Sequence, residues 1–455
     1  MIDGKRKQWQ GEAGGCGRFG KDPIIGARWH DPVAGATVAP GRGATITDPP
    51  AAGVAPRPAL SNPPAVSEPK NMQRRQFVSL ACRGTALAAV PFLHGPARAQ
   101  DAPGVTARAV TIACSAPLSG PLVGFGTDIQ QGAGAAIAHA NARGGVQGRS
   151  VQLQILDDGY EPERTLANVR QVIGQGSALA LLSCVGTPNN TAIAPLLEEA
   201  GMPHLGPITG AASLRKPSRN VFHVRASYTD EVLRLIDRLT GMGLKGLAIA
   251  YLDNGYGREL LEVGTGALGA LGRKPVAQVA VATDGSNLAK ALAELAAARP
   301  SAVLLATAGT VSVELVRGIK TQLPGVLMAG VSVTLPGASL PQLGDAASGI
   351  ALTMVVPNPH SSKLQLVRDY QAAMRAQGHT EFSQGSLEAY LNARVLLEGL
   401  ERAGKEPTQA KLRAGLASIR NLDLGGFVVD YGQPPYVGSR YIELGVLGNT
   451  GRFIG

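Results

Sequence analysis

Residues 151–182 read VQLQILDDGYEPERTLANVRQVIGQGSALALL. The apolar run Val151 to Leu156 reads as a strand that stops at Asp157-Asp158. Across residues 161–174, Leu166, Val169, Val172 and Ile173 recur at helical spacing. Ala178 to Leu182 is a second apolar run, of the length of a buried strand. Strand, helix, strand is the unit of a parallel sheet, because parallel neighbours need a long crossover and a helix supplies it.

The same order extends in both directions. Val110 to Cys114 is an earlier strand, followed by a helix over 127–142 with Ile129, Ala133, Ala136, Ile137 and Ala140 on one side. A helix from about Asn190 to Ala200 follows the third strand. A second series begins near Tyr228, with helices over 229–241, 257–271, 286–298 and 311–320 preceding strands Leu247 to Tyr251, Val276 to Val281, Ala302 to Ala306 and Val326 to Ala329. The pattern predicts an α/β fold of two Rossmann-like lobes with parallel-type sheets joined by a hinge. The first lobe is expected at 105–226 plus 355–433 and the second at 227–354 plus 434–455. A strong helix from Leu387 to Ala403 returns the chain to the first lobe.

The first hundred residues do not share this periodicity. Twelve of the 31 prolines fall there, and residues 1–71 are rich in Gly, Pro, Ala and Arg, the composition of a disordered tail. At Met72 the pattern changes to Gln73-Arg74-Arg75-Gln76-Phe77, a mostly apolar run from Val78 to Leu93, and the small-residue site Ala97-Arg98-Ala99 before Gln100. A charged start, a short apolar segment and an AxA site make 72–99 a secretory signal peptide. The apolar run is too short to span a bilayer. The RRQF string resembles the twin-arginine export motif, with Val78 where Leu is commoner. Met72 is therefore expected to be the initiator. The net charge of +10 also belongs mostly to this region: residues 1–100 carry 13 Lys or Arg against 6 Asp or Glu, and the rest 30 against 27. No basic stripe with interleaved aromatics follows, so nucleic acid is not an expected partner.

In open α/β sheets a ligand binds beyond the carboxyl ends of the strands. The segments there are small, polar and glycine-rich: Ser115 to Pro121 with Gly124-Phe125-Gly126, Gly186 to Thr191, Pro207 to Gly210, and Asp253 to Gly257. Thr187 and Asn189 stand before a helix, where their side chains can cap its free N–H groups, and the same N–H groups can hold a carboxylate. Cys114 and Cys184 close apolar runs and read as buried free thiols, although an oxidising compartment would allow them to pair.

From Val110 to Phe453 these pieces, in this order, resemble the periplasmic leucine-binding protein family, with its type I periplasmic binding fold. The matching stretches are VTIACSAPLSGP (110–121), NARGGVQGRSVQLQILDD (141–158), GTPNNTAIAPLLEEAGMPHLGP (186–207), VFHVRASYTDE (221–231), LAIAYLDNGYGRE (247–259) and GRFI (451–454). The resemblance implies a periplasmic substrate-binding component of an ABC importer, a monomer that closes on a small ligand and passes it to the transporter's permease. It implies no cofactor and no metal. By position, Phe125 falls at the cleft mouth and Thr187 at a hydroxyl contacting the ligand carboxylate. Thr209 and Gly210 fall in a loop with further carboxylate contacts, and Tyr256 is the aromatic that packs over the ligand. Ser119, Pro188, Tyr228, Thr307 and Ser332 complete the expected ligand-binding set.

The sequence departs from the family where the ammonium of an amino acid would be held. No carboxylate occurs in Gly330-Val331-Ser332-Val333, and Tyr228 occupies another expected acidic position. Asp230 is nearby, in a first helical turn where helix-dipole stabilisation also accounts for it. A buried ammonium without an anion is costly, so a ligand lacking a free amine, a carboxylate or another small polar compound, is expected.

Enzymatic signatures are missing: there is no GxSxG, GxxxxGK[ST] or HExxH, and Gly124-Phe125-Gly126 lacks the third glycine of a dinucleotide loop, with Ile129 in its place. The alternative is a ligand-sensing domain of the same fold that feeds a regulator. Both tryptophans, Trp9 and Trp29, precede Met72. Exported protein should therefore have the intact mass of a chain beginning at Gln100 and contain no Trp; a mass that includes residues 1–71 overturns the reading of Met72.

Overall fold

A computed structural model describes residues 102–454; the expected tail and signal peptide lie outside the described residues. The first sheet is built from β1 (Ala109–Ala116), β2 (Ser150–Asp157), β3 (Ala180–Leu182), β4 (His204–Leu205) and β5 (Val221–His223), with helices α1 (Val123–Ala142), α2 (Pro162–Gln175) and α3 (Thr187–Ala200) between them. The chain then crosses to a second unit. There α4 (Tyr228–Gly241), α5 (Gly255–Ala270), α6 (Leu288–Ala298) and α7 (Thr310–Gln322) alternate with β6 (Leu247–Leu252), β7 (Ala277–Val281), β8 (Ala302–Ala306) and β9 (Leu327–Gly330). A short helix α8 (Leu340–Leu343) precedes β10 (Ala351–Met354). Three helices, α9 (Gln365–Ala376), α10 (Gln384–Ala403) and α11 (Gln409–Ala417), follow, and α9 and α10 pack on α1. The end of the chain forms β11 (Leu422–Asp423), β12 (Val428–Val429), β13 (Tyr436–Val437), β14 (Glu443–Leu447) and β15 (Phe453–Ile454).

The two large sheets have orders β13-β5-β4-β3-β1-β2 and β15-β14-β10-β9-β8-β6-β7, and β11 and β12 form a separate antiparallel pair. Every pairing in the first is parallel. The second is parallel from β7 to β10 and closes with β14 and β15 antiparallel. Central strands β6 and β8 are apolar and buried nearly throughout, as strands covered by helices on both faces must be. The division at residue 434 needs correction. Tyr436 and Val437 pair with Phe222 and His223 of β5, so the chain stays with the first sheet through β13 before returning to the second. The Tyr436 ring stacks on Phe222 with centroids 4.6 Å apart, and Tyr431 stands edge-on to Phe222 at 5.5 Å, which holds that strand in place.

Each sheet reverses its winding once. In the first, the chain steps from β1 to β2 on one side and then to β3 on the other; in the second, from β6 to β7 and then to β8. Loops leaving β1 and β3, and those leaving β6 and β8, therefore diverge and leave a crevice. In the first lobe that crevice is floored by α1, which lies against α10. A Cβ on Gly132 would stand 1.9 Å from the Ser386 carbonyl oxygen, so only glycine permits this approach. Gly132→Ala should lower stability by about 1–3 kcal/mol through overpacking, read as a lower urea midpoint with an unchanged m-value.

Candidate functional site

The four diverging loops meet in one small cavity. It is lined by Leu122 and Phe125 after β1, Tyr160 after β2, Val185, Gly186 and Thr187 after β3, and Ile208 after β4; the second unit adds Tyr228, Tyr256, Ala308 and Val333. Its volume is ≈ 20 Å³, about the room one water needs. A molecule of more than a few atoms can enter only if the lobes part.

Local folding explains the position of each group. Gly186, at φ 94°, turns the chain from β3 into α3, and a Cβ there would lie 2.4 Å from the Tyr160 ring. Thr187 is the first residue of α3 and caps nothing with its side chain. Its Oγ1 lies 2.8 Å from Thr209 Oγ1, and Asn189 donates to Thr165 Oγ1 at 2.7 Å. The capping expected of Thr187 and Asn189 is thus replaced by bonds to the loop after β4 and to the first turn of α2, and α3 begins without a side-chain cap. Tyr228 and Tyr256 stand edge to face, centroids 5.3 Å apart. Burial pushes the Tyr228 hydroxyl up to about 12 and raises that of Tyr256, so both present protonated phenols.

Of the ten residues expected from the sequence, Phe125, Thr187, Tyr228 and Tyr256 line the cavity. Thr209 stands behind Thr187, and Gly210 supports Tyr228 by accepting its backbone N–H at 2.8 Å. The other four are placed elsewhere. Ser119 is exposed and donates to Asp157 at 2.7 Å. Pro188 is half-buried in the first turn of α3. Thr307 accepts from Ser312 at 2.7 Å. Ser332 is bound by Arg225 and donates its N–H to Glu231 at 2.8 Å. Tyr160 was missed. Its φ of 68° is a left-handed conformation unusual for a tyrosine, held by its N–H donating to Asp158 at 2.9 Å. The Asp157-Asp158-Gly159 turn was the signal that could have pointed to it.

Behind Tyr228 lies a buried charge cluster. Arg225, 1% exposed, pairs with Glu231 of α4 at 2.9 Å and with Glu388 of α10 at 3.4 Å, and its guanidinium carbon sits 5.2 Å from the Tyr228 ring centroid. Glu231 also accepts from Thr353 at 2.5 Å. Burial raises Glu388, against the pull of Arg225. Asp230 is exposed: Ser227 caps α4 by accepting the Asp230 N–H at 3.1 Å and donates its hydroxyl to the Asp230 carboxylate at 2.6 Å. Two buried acids stand close to lining residues: Asp158, which accepts the Tyr160 N–H and the Ser115 and Thr165 hydroxyls, and Glu231, whose oxygens are taken by Arg225, Ser332 and Thr353. Cys114 and Cys184 are buried free thiols.

Hydrogen bonds that join the lobes around the cavity include Thr310 N–H to Pro121 O at 3.1 Å, Ala212 N–H and the Ser213 hydroxyl to Glu259 at 2.6 and 3.2 Å, and Gly337 N–H to Asp128 at 3.2 Å. Asp128 also accepts from Ser383 at 2.6 Å. Its burial outweighs these bonds and raises its pKa to about 6.

A family model described as periplasmic binding protein matches residues 109–434. A Leu/Ile/Val-binding protein homolog of Brucella melitensis is 24% identical over 317 residues, 68% of this chain and 83% of that protein. A substrate-binding periplasmic protein from Ralstonia solanacearum is similar in structure, with a TM-score of 0.72 and 31% identity, covering 76% of this chain and 99% of that one. A solute-binding protein of an R. palustris ABC transporter, solved in complex with benzoate, has a TM-score of 0.69 at 18% identity over 76% of this chain and 95% of that one, a likeness of fold.

Asp128 gives the lobe contact a pH dependence. A carboxyl raised in the folded state keeps its proton longer there than in the unfolded chain, so stability falls as pH rises from about 4 to about 6. Relative to Asp128→Asn, the protein should lose on the order of 2 kcal/mol over that window, measured by urea unfolding at stepped pH; parallel curves for the two proteins would refute it.

Proposed function

The chain belongs to the periplasmic binding protein family, and on that footing we propose that it is the substrate-binding component of an ABC importer, acting in the periplasm as a monomer. It captures a small organic carboxylate without a free amine, closes its two lobes on it, and presents the closed form to a permease. The observation that carries this reading is the make-up of the cavity between the lobes. Thr187, Tyr228 and Tyr256, the last with its hydroxyl donating to the Thr307 carbonyl at 3.4 Å, and the N-terminus of α3 meet there with apolar walls, and no acidic side chain lines it.

Donors of this kind suit a carboxylate, since N–H and O–H groups bond most strongly to a charged acceptor. An ammonium would need an anion in the same space. Glu231 and Glu388 are adjacent, but both pair with Arg225, and Arg215 brings a second positive charge to the same cluster. Among the similar proteins, the Brucella relative carries Leu/Ile/Val in its name and the R. palustris structure holds benzoate; the second, without an amine, fits this cavity better. Aromatic edges from Phe125, Tyr160, Tyr228 and Tyr256 give an apolar or aromatic body a surface to pack on.

Closure follows from differential contact. The bonds at Pro121, Glu259 and Asp128 exist only with the lobes together, and a ligand touching both sides adds to them, shifting the population toward the closed form. In a thermal-shift screen of amino acids, dicarboxylates, aromatic carboxylates, amides and ureas, amine-free carboxylates should raise the unfolding temperature, by about 2.7 kcal/mol of stabilisation at a hundredfold excess over Kd. Thr187→Ala should then weaken the best ligand by about 1.5–3 kcal/mol. A response confined to branched-chain amino acids overturns the ligand assignment, and undiminished affinity in Thr187→Ala removes that hydroxyl from the site.

A further inference from the structure

We propose that the first lobe holds a second small-molecule site, separate from the cleft, that takes a neutral compound bearing N–H donors, of the amide or urea class. It lies between α3, the β4–β5 pair and the segment 213–218, in a cavity of ≈ 300 Å³. Its lining shares no residue with the cleft cavity. That volume is at the lower end of what small-molecule pockets occupy.

The sheet register builds the floor. His204 pairs with Val221 and Leu205 with Phe222. Side chains two apart on a strand share a face, so His204, Val221 and His223 all point to one side, and all three line the cavity. Both imidazoles are buried, at 2% and 1% exposure, yet His204 Nε2 and His223 Nδ1 have no hydrogen-bond partner. Asn190 of α3, 4% exposed, adds a third such atom. Its amide nitrogen donates to Cys184 O at 3.0 Å and Gly186 O at 2.7 Å, while its Oδ1 is unpartnered. Buried polar atoms are as a rule satisfied, so three unmatched ones around one cavity point to an occupant.

The chemistry of those atoms selects the occupant. His223 Nε2 lies 3.3 Å from the Leu214 carbonyl oxygen, so it carries the proton and Nδ1 is an acceptor. Asn190 Oδ1 is an acceptor as well. The occupant must therefore donate. A cation is disfavoured, because a charge there would lose its water without gaining a free anion; burial first, and then Arg215, hold His223 well below its ordinary pKa and keep it neutral. Lys216 stands exposed at the rim. Glu198, the one carboxylate in the lining, is taken by Ser218 and Asn220. A primary amide or urea supplies two or more N–H donors with no charge, and the Leu197, Pro195 and Leu214 side of the cavity accepts its apolar part.

The site also touches the closure contact. Ser213 lines it and donates to Glu259 of the second lobe at 3.2 Å, beside the Ala212 bond to the same carboxylate. An occupant therefore packs against the turn that the second lobe grips.

The test is imidazole-detected NMR on the full chain labelled at histidine, with acetamide and N-methylurea as probes and n-butylammonium and acetate as charged controls. His204→Gln and His223→Gln assign the two signals. Both signals should shift saturably with the neutral probes and not with n-butylammonium or acetate. Ala194→Phe, which fills the cavity from α3, should weaken the response at least tenfold, and Thr191→Trp at the exposed end of the same face should do so if the first variant does not fold. Thr187→Ala, in the cleft, should leave it unchanged. No saturable shift, an equal response to n-butylammonium, or a response that survives filling overturns the site. A response lost in Thr187→Ala also overturns it, by placing the probe in the cleft.

Discussion

Arg225 is the constraint around which the two lobes are arranged. A guanidinium stays charged at any pH the protein meets, so burying it obliges the surroundings to supply anions. Those anions come from opposite sides of the hinge: Glu388 from α10, packed on the first lobe, and Glu231 from α4, which opens the second. Ser332, just past β9, and Thr353 on β10 complete the cluster. Arg215 closes the other side by donating to the carbonyls of Arg225 and Ala226 at 3.0 and 2.9 Å. The crossing strand between the sheets is thereby pinned from both lobes. Breaking such a cluster leaves a charge stranded in a dry interior, which costs several kcal/mol.

The same cluster shapes the site in front of it. With Glu231 and Glu388 committed to Arg225, what reaches the cavity is the face of Tyr228, with the guanidinium behind it. Thr187, the N-terminus of α3 and aromatic rings make up the remaining wall of the cavity. The winding of the sheets does the rest, since the reversal at β1 and β3 faces the reversal at β6 and β8 and brings four loops from distant parts of the chain to one point.

Much of this was legible in the residues. The period of Leu166, Val169, Val172 and Ile173, and the apolar runs at 247–251 and 302–306, gave strands and helices close to those observed, because those elements are buried on a fixed face and their hydrophobic pattern has no other solution. Phe125, Thr187, Tyr228 and Tyr256 were identifiable because the resemblance to the leucine-binding family places residues of the segments beyond the strands at the cleft. Ser119 and Thr307 follow strands too, yet their hydroxyls are consumed by Asp157 and Ser312. Position after a strand is encoded locally; the partner of a hydroxyl is not. Tyr160 was hidden for the converse reason, since a turn-borne tyrosine carries no periodic signal until its neighbour Gly186 is seen to make room for the ring.

By itself, the sequence determined the alternation of strands and helices, the two-lobed architecture and the glycine-rich loops, all of which rest on periodicity and on backbone conformations that few residues adopt. Only the tertiary structure decided that β13 belongs to the first sheet, that Glu231 rather than Asp230 is the buried acid, that Ser332 serves Arg225, and that His204, His223 and Asn190 surround one cavity. Each of these depends on a contact between residues far apart in the chain. Such contacts follow from how whole elements pack, and the spacing of neighbouring residues carries no record of them.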